Sequence, residues 1–512
     1  MAGFVWESED KSNPRQGAHN FILALCVDSI KIILAFSVIL FNFILALYVT
    51  IFHRKGFKML KRKAYNALLE WKNTCQGSTA MLVNGARRVG KSFLIREFVK
   101  NEYKSHIFID FSNAPKSVID VFEHDTDDFN HFFSKLSVIY GVQLFERQSA
   151  FVFDEVQFYP RARQMIKHLV ADGRYDFLES GSLISLRQNV KDILIPSEED
   201  SINLYPMDFE EFLWAEGDEV SYPFLKMCFE KRIPLGPALH RKMLNRFREY
   251  MLVGGMPQSV LAYQETHDFA KVDSIKRKIL KLYRDDVPKF AKGYESKVLS
   301  VFDNIPGQLS KKEKRYKFAS LKQNSRFKTY ENAFIWLNEA MIANSCFNAT
   351  DPNVGLALSA DVATQKCYMA DTGLLVTQTF MEKSYTSNEL YRAILFDKLD
   401  INEGMIMENI VAQMLVASGH KLFFYSRSDS SNRKNNIEID FLLRTQVGLK
   451  EKICPIEVKS GSYKQHVSLD KFWGKFHKNL TQPYILYTKD LEVRKTDYAE
   501  ILHLPLYMAG LI

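Results

Sequence analysis

Residues 80–100 read AMLVNGARRVGKSFLIREFVK. An apolar run from Ala80 to Val83 leads into a loop bracketed by Gly85 and Gly90. Lys91 and Ser92 then open a segment whose apolar residues Phe93, Leu94, Phe98 and Val99 recur at helical spacing. Strand, G-x-x-x-x-G-K-S loop and helix in that order form a phosphate-binding unit. Glycine lets the backbone N–H groups of Gly85, Ala86, Arg87, Arg88, Val89 and Gly90 close around an anion, and the helix N-terminus adds a favourable dipole. In such a loop Lys91 is expected to reach the β- and γ-phosphates of ATP, and the Ser92 hydroxyl to ligate Mg²⁺. The unit predicts a parallel α/β sheet.

Phosphate chemistry also needs a carboxylate on a neighbouring strand. AFVFDEVQFYP, residues 150–160, supplies Asp154 for the magnesium and Glu155 to polarise the attacking water. A further strand, YDFLESGS, ends in Ser180 and Ser182, either of which could sense the γ-phosphate. Arg161, Arg163, Arg174 and Arg187 are all candidates for stabilising charge, and sequence does not rank them.

A chain of 512 residues exceeds one ordinary core and implies several domains. Six cysteines stand singly, without a CxxC pair, which argues against a disulfide framework or a zinc site. The net charge of +8 is carried mostly by HRKGFKMLKRK, residues 53–63, so it is weak evidence for nucleic acid. Ahead of that cluster, after a tail at 1–31, IILAFSVILFNFILALYVTIF at 32–52 holds 21 residues without a charge. That length predicts one transmembrane helix, and the basic flank would keep the large C-terminal part cytoplasmic. The alternative is a chain starting at Met59 in the cytoplasm, without a membrane partner.

Residues 216–295 read as helices with a sharp turn at Gly254, Gly255 and Pro257. Eight bases against one acid lie between Leu309 and Lys328, followed by an amphipathic helix with Tyr330, Ala333, Phe334, Leu337, Ala340 and Met341 on one face. This suits a solvated charged surface between domains, or a winged-helix-like unit in which Lys314, Lys317, Arg326 and Lys328 touch DNA phosphates.

Toward the end, GMIMENIVAQML places Glu408 on a helix, IEIDFLL places Asp440 on an apolar strand, and IEVKS places Glu457 and Lys459 on one face of the next. In that order the three carboxylates could hold a second metal ion, with Lys459 positioning water or stabilising a phosphate. Taken alone, the ExK pair is an ordinary charged strand edge.

LLEWK, GARRVGKS, IFIDFSN, VFDEVQ, LYPMDFEEFL, YMLVGGMPQSV and YMADTGLL, in this order over about 59–512, resemble archaeal and bacterial AAA-type P-loop ATPases with a C-terminal domain of unknown function. The carboxylate and ExK series resembles the PD-(D/E)xK restriction-endonuclease-like fold. The departures are Glu179-Ser180-Gly181-Ser182 at the sensor strand and Met207-Asp208 where Leu-Ser is more usual. The resemblance implies an ATPase core at 59–215, a helical lid at 216–295, the winged-helix-like connector at 296–385 and the nuclease-like α/β domain at 400–512. It implies ATP binding with hydrolysis, and leaves open DNA or a protein partner as what is acted on and a homo-oligomer as the assembly. A nucleotide-switched regulator or scaffold that cuts nothing is the competing expectation.

Overall fold

The computed structural model describes residues 60–181, 197–311, 315–382, 387–395, 403–428, 432, 435–448, 450–460 and 466–512. The tail and apolar run at 1–52, Ser182, Arg187 and Lys314 lie outside these. No helix among the described residues is long and apolar enough to cross a membrane.

Five strands, β1 (Ala80–Gly85), β2 (Ser105–Asp110), β3 (Ser149–Asp154), β4 (Asp176–Gly181) and β5 (Glu199–Leu204), form one sheet in the order β2-β3-β4-β1-β5, every pairing parallel. The central strands β1, β3 and β4 are buried throughout because both faces are covered. Met81, Val83, Ala150, Val152 and Leu178 face one core, while Ala80, Leu82, Phe151, Phe153 and Phe177 face the other. The second core is sealed by helices Lys116–His124, Phe129–Tyr140 and Pro160–Asp172. In a sheet so wound, ligand loops collect at the C-terminal strand ends.

Four helices, Ser221–Lys231, Pro237–Val253, Pro257–Thr266 and Phe269–Phe290, follow the core. The turn between the second and third presses on the core: a Cβ at Gly255 would lie 2.2 Å from the Met207 carbonyl oxygen. The Gly255 N–H donates to Asp371 Oδ2 at 2.6 Å, which joins the GGMP and ADTGLL motifs directly.

A second sheet contains β6 (Ala343–Ala349), β7 (Ala360–Met369), β8 (Phe423–Arg427), β9 (Ile437–Val447), β10 (Lys450–Val458), β11 (Tyr484–Tyr487), β12 (Glu492–Lys495) and β13 (Glu500–Pro505), ordered β12-β13-β11-β10-β9-β8-β6-β7. Helices Glu295–Ser310 and Phe327–Glu339 precede the β6–β7 hairpin, the element order of a winged helix. The hairpin nonetheless belongs to the C-terminal sheet, because β6 pairs in parallel with β8 through Phe347 and Asn348. The boundary expected between 296–385 and 400–512 is therefore crossed by a continuous ladder. Strand β8 needs a hydrogen-bonding neighbour on that side, and the hairpin provides it.

His503 on β13 is 1% exposed, and neither ring nitrogen has a hydrogen-bond partner. Burial, reinforced by Arg494, holds its pKa down to about 4. The folded state thus carries neutral His503 while the unfolded chain protonates near 6.5, so stability is full above that pH and declines as pH falls toward 4. Urea melts of His503→Leu at pH 7 and pH 4.5 are expected to show about 2–3 kcal/mol less acid destabilisation than the parent; equal losses would show that His503 does not titrate this way.

Candidate nucleotide site and C-terminal carboxylate pocket

The phosphate loop sits at the C-terminal end of β1. At Gly85 a Cβ would meet the Leu204 carbonyl oxygen at 2.5 Å, so no side chain fits where strand turns into loop. Gly90, with φ 102°, takes the left-handed turn that starts helix Lys91–Glu102, and Arg88 is also left-handed at φ 69°. Lys91 is 6% exposed and donates from Nζ to the carbonyls of Gly85 at 2.9 Å and Ala86 at 3.2 Å. Burial lowers its pKa, with Glu155 and Asp154 opposing the shift.

Adjacent strands bring Asp154 and Ser180 to the loop. The Ser92 hydroxyl donates to Asp154 Oδ1 at 2.9 Å, and Ser180 donates to the same oxygen in a short contact. Burial raises the Asp154 pKa, and these two hydrogen bonds pull against it. Hydroxyl and carboxylate side by side form the oxygen-rich donor set that Mg²⁺ prefers. Of the two serines expected at the end of β4, Ser180 contacts Asp154, and Ser182 lies outside the described residues. Glu155 adopts φ 54°, an uncommon conformation for a residue with a side chain, and its carboxylate accepts from Gln157 Nε2.

Among the arginine candidates, Arg163 is buried and forks onto Glu199 at 2.7 and 3.0 Å, beside fully buried Glu179. Arg174 forks onto Asp172. Both are committed to structural pairs.

Sequence reasoning missed two groups around the loop. Arg62, from the basic run credited to a membrane flank, is 8% exposed. It donates to the Val89 carbonyl at 3.0 Å and the Tyr205 carbonyl at 2.6 Å, and pairs with Glu211 at 3.1 Å. Lys61 and Lys63 pair with Glu219 and with Asp208 and Glu210, so the end of the run folds against the core. Asp208, the departure from Leu-Ser, caps helix Phe209–Ala215 in a reciprocal box with Glu211, a role Asp fills as well as Ser. From helix Phe269–Phe290, Tyr283 donates to the Arg87 carbonyl at 3.0 Å, and Asp286 pairs with Arg87. A cavity of about 250 Å³ opens there, bordered by Lys91, Glu155, Phe290 and Trp336.

The basic segment lies at the surface, with Lys317, Arg326 and Lys328 exposed. Beneath it Tyr316, Phe318, Phe327, Tyr330 and Phe334 pack into an aromatic cluster that anchors helix Phe327–Glu339.

In the C-terminal domain, Glu408, Asp440 and Lys459 line a polar cavity of about 290 Å³ together with Glu438 and Lys366. Glu457 does not line it: it is 1% exposed and pairs with Lys459 at 2.9 Å, on the same face of the chain. Glu408, Asp440 and Glu457 do not stand close enough to one another to share one ion. Among the described residues, the His/Cys/Asp/Glu trio close enough to share an ion is the exposed Asp120, Glu123 and His124. At the centre of the pocket stands the Lys366 ammonium, 2.7 Å from Glu408, 3.8 Å from Glu438 and 3.9 Å from Asp440. Burial alone would lower the Lys366 pKa, but these three carboxylates outweigh it and raise it. Burial, with Glu408 nearby, pushes the Asp440 carboxyl well above the usual range.

Three protein-family models match in succession: an AAA domain over 77–213, a domain of unknown function (DUF8612) over 244–385 and a second (DUF4143) over 403–507. No curated protein sequence matches the chain. Solved structures with some likeness include a Walker-type ATPase of Pyrococcus abyssi, at 13% identity, 63% of this chain, 97% of that one and a TM-score of 0.36. Another is Cdc6p from Pyrobaculum aerophilum, at 10% identity, 67% of this chain, 96% of that one and a TM-score of 0.22. Both scores are too low to imply a shared overall fold. The AAA-domain match and the parallel sheet with its phosphate loop identify an AAA-type P-loop core.

Proposed function

We propose that the protein binds ATP and hydrolyses it with Mg²⁺, and that nucleotide state is passed through the lid to the C-terminal domain. The observation that carries this reading is the meeting of Ser92 with Asp154 at 2.9 Å beside Lys91, at the mouth of a loop where Gly85 has no room for a side chain.

Lys91, released from the Gly85 and Ala86 carbonyls, would neutralise the β- and γ-phosphates. Ser92 and Asp154 would hold Mg²⁺, which when bound with ATP supplies further neutralisation of the phosphate charge. Glu155 would orient the attacking water and draw on its proton, and Ser180 would keep Asp154 in place. The Tyr283 and Asp286 contacts to Arg87 give the lid a direct hold on the loop that grips phosphate.

The test is equilibrium binding of ATP to Lys91→Ala. Affinity is expected to fall at least about 100-fold, the loss of a desolvated charge contact, with the melting temperature near that of the parent. Undiminished ATP affinity in the folded variant would remove the assignment.

The second reading concerns the C-terminal domain, and the position of Lys366 favours it: the domain docks a protein partner under nucleotide control and cuts no DNA. The set Glu408, Asp440, Glu457 and Lys459 does not fit a metal-dependent nuclease centre, because its three carboxylates do not come close enough together to share one ion and a lysine pairs with two of them.

A further inference from the structure

The fold that the ExK series resembles would place a divalent cation among Glu408, Asp440 and Glu457. The side chains around that position are already engaged. Glu408 Oε1 accepts both from Lys366 Nζ at 2.7 Å and from the Tyr368 hydroxyl, two donors that stand on one face of β7. Asp440 Oδ2 accepts the Val458 N–H at 2.8 Å, and Oδ1 faces Lys366 at 3.9 Å. A carboxylate oxygen that has accepted two hydrogen bonds has little left for a metal.

Lys366 is not a mobile surface base that strayed into a crevice. It is 6% exposed and its ammonium lies 5.4 Å from the centre of the Phe424 ring. Its backbone is fixed in the hairpin opposite Cys346, and that hairpin is bonded to β8. An ammonium offers three donors and a single positive charge, enough to satisfy neighbouring carboxylates that would otherwise repel one another. A divalent ion at the same point would meet both that charge and its donors.

We propose that the Lys366 ammonium takes the place of a divalent cation in this pocket, so that residues 360–369 hold the C-terminal domain in a metal-free state, and that removing the ammonium lets Glu408, Asp440 and Glu438, which stand too far apart to share an ion while they hold Lys366, close on a divalent cation. Lys366 is a positioning residue here, since it acts on the carboxylates. The inference stands independently of ATP hydrolysis, because it concerns the nucleotide-free protein and a different sheet.

The probe is Mn²⁺ itself, titrated into full-length, nucleotide-free protein and followed by electron paramagnetic resonance. The parent is expected to show no Mn²⁺ binding that Asp440→Asn or Glu408→Gln abolishes. Lys366→Met, which keeps the stem and removes the charge, should gain about one Mn²⁺ per chain with a Kd of about 0.1–1 mM, the range of modest carboxylate sites. Adding Asp440→Asn to it should abolish the gain. Lys366→Arg, which keeps the charge, should gain none. Because Lys366→Met could unfold, Lys366→Gln is titrated in parallel and cooperative melting is checked for each. Parent protein that already binds one Mn²⁺ in an Asp440-dependent manner overturns the proposal, as does a folded Lys366→Met or Lys366→Gln that gains no site.

Discussion

Glu155→Gln is expected to lower Mg²⁺-dependent ATP turnover by about 10³-fold, in the middle of the range for loss of a positioned general base, while ATP remains bound. The substitution preserves the shape of the side chain and removes its charge, so the φ of 54° and the neighbouring Gln157 impose the same geometry on the replacement. None of the groups assigned to gripping phosphate is altered, since Lys91, Ser92 and Asp154 keep their contacts. Binding and chemistry therefore separate: filter binding of labelled ATP should match the parent, and single-turnover release of labelled phosphate should nearly stop. Unchanged single-turnover release would remove Glu155 from the chemistry and leave its backbone conformation as a feature of the turn after β3.

The second large effect is expected at Arg62→Ala, which should destabilise the protein by about 3–5 kcal/mol, the usual cost of removing one partner from a buried ion pair. Glu211 would lose its guanidinium at 5% side-chain exposure, and the Val89 and Tyr205 carbonyls would lose a donor. Glu211 is already raised in pKa by burial, with Arg62 the leading opposing influence, so losing Arg62 leaves it poorly compensated. Because Val89 belongs to the phosphate loop, ATP affinity should weaken along with stability. Urea denaturation of Arg62→Ala, of Glu211→Gln and of the double variant checks the pairing: a double loss below the sum of the single losses is expected, and simple additivity would show that the two residues act apart.

The phosphate loop was legible in the sequence because every residue it needs is adjacent: Gly85, Gly90, Lys91 and Ser92 fall within eight positions, flanked by strand and helix patterns. Asp154 could be found because its strand is a continuous apolar run that ends in acid. The shared face of Glu457 and Lys459 followed from the period of two in a strand. Arg62 was concealed by its neighbours, since a base inside a basic run looks like solvated charge, and only folding distinguishes the buried one. Lys366 was concealed by distance: 42 positions separate it from Glu408, and no periodicity within β7 says which other strand or helix its side chain will meet. The C-terminal set looked like a metal site because sequence order records which acids are present, whereas the cation that balances them comes from a separate hairpin.

The parallel pairing of β6 with β8 bears on how this chain can be divided or exchanged. Asn348 on β6 accepts the Ser426 N–H of β8 at 2.8 Å in addition to the ladder, so the two strands are tied by side chain as well as backbone. A fragment cut at residue 400 would expose a raw edge along β8 and discard the counter-charge for Glu408. The last hundred residues are therefore not a detachable cassette. Recombination between relatives that kept the fold would carry the stretch from the hairpin to the C-terminus as one inheritable unit, even though it spans two matched segments with separate names.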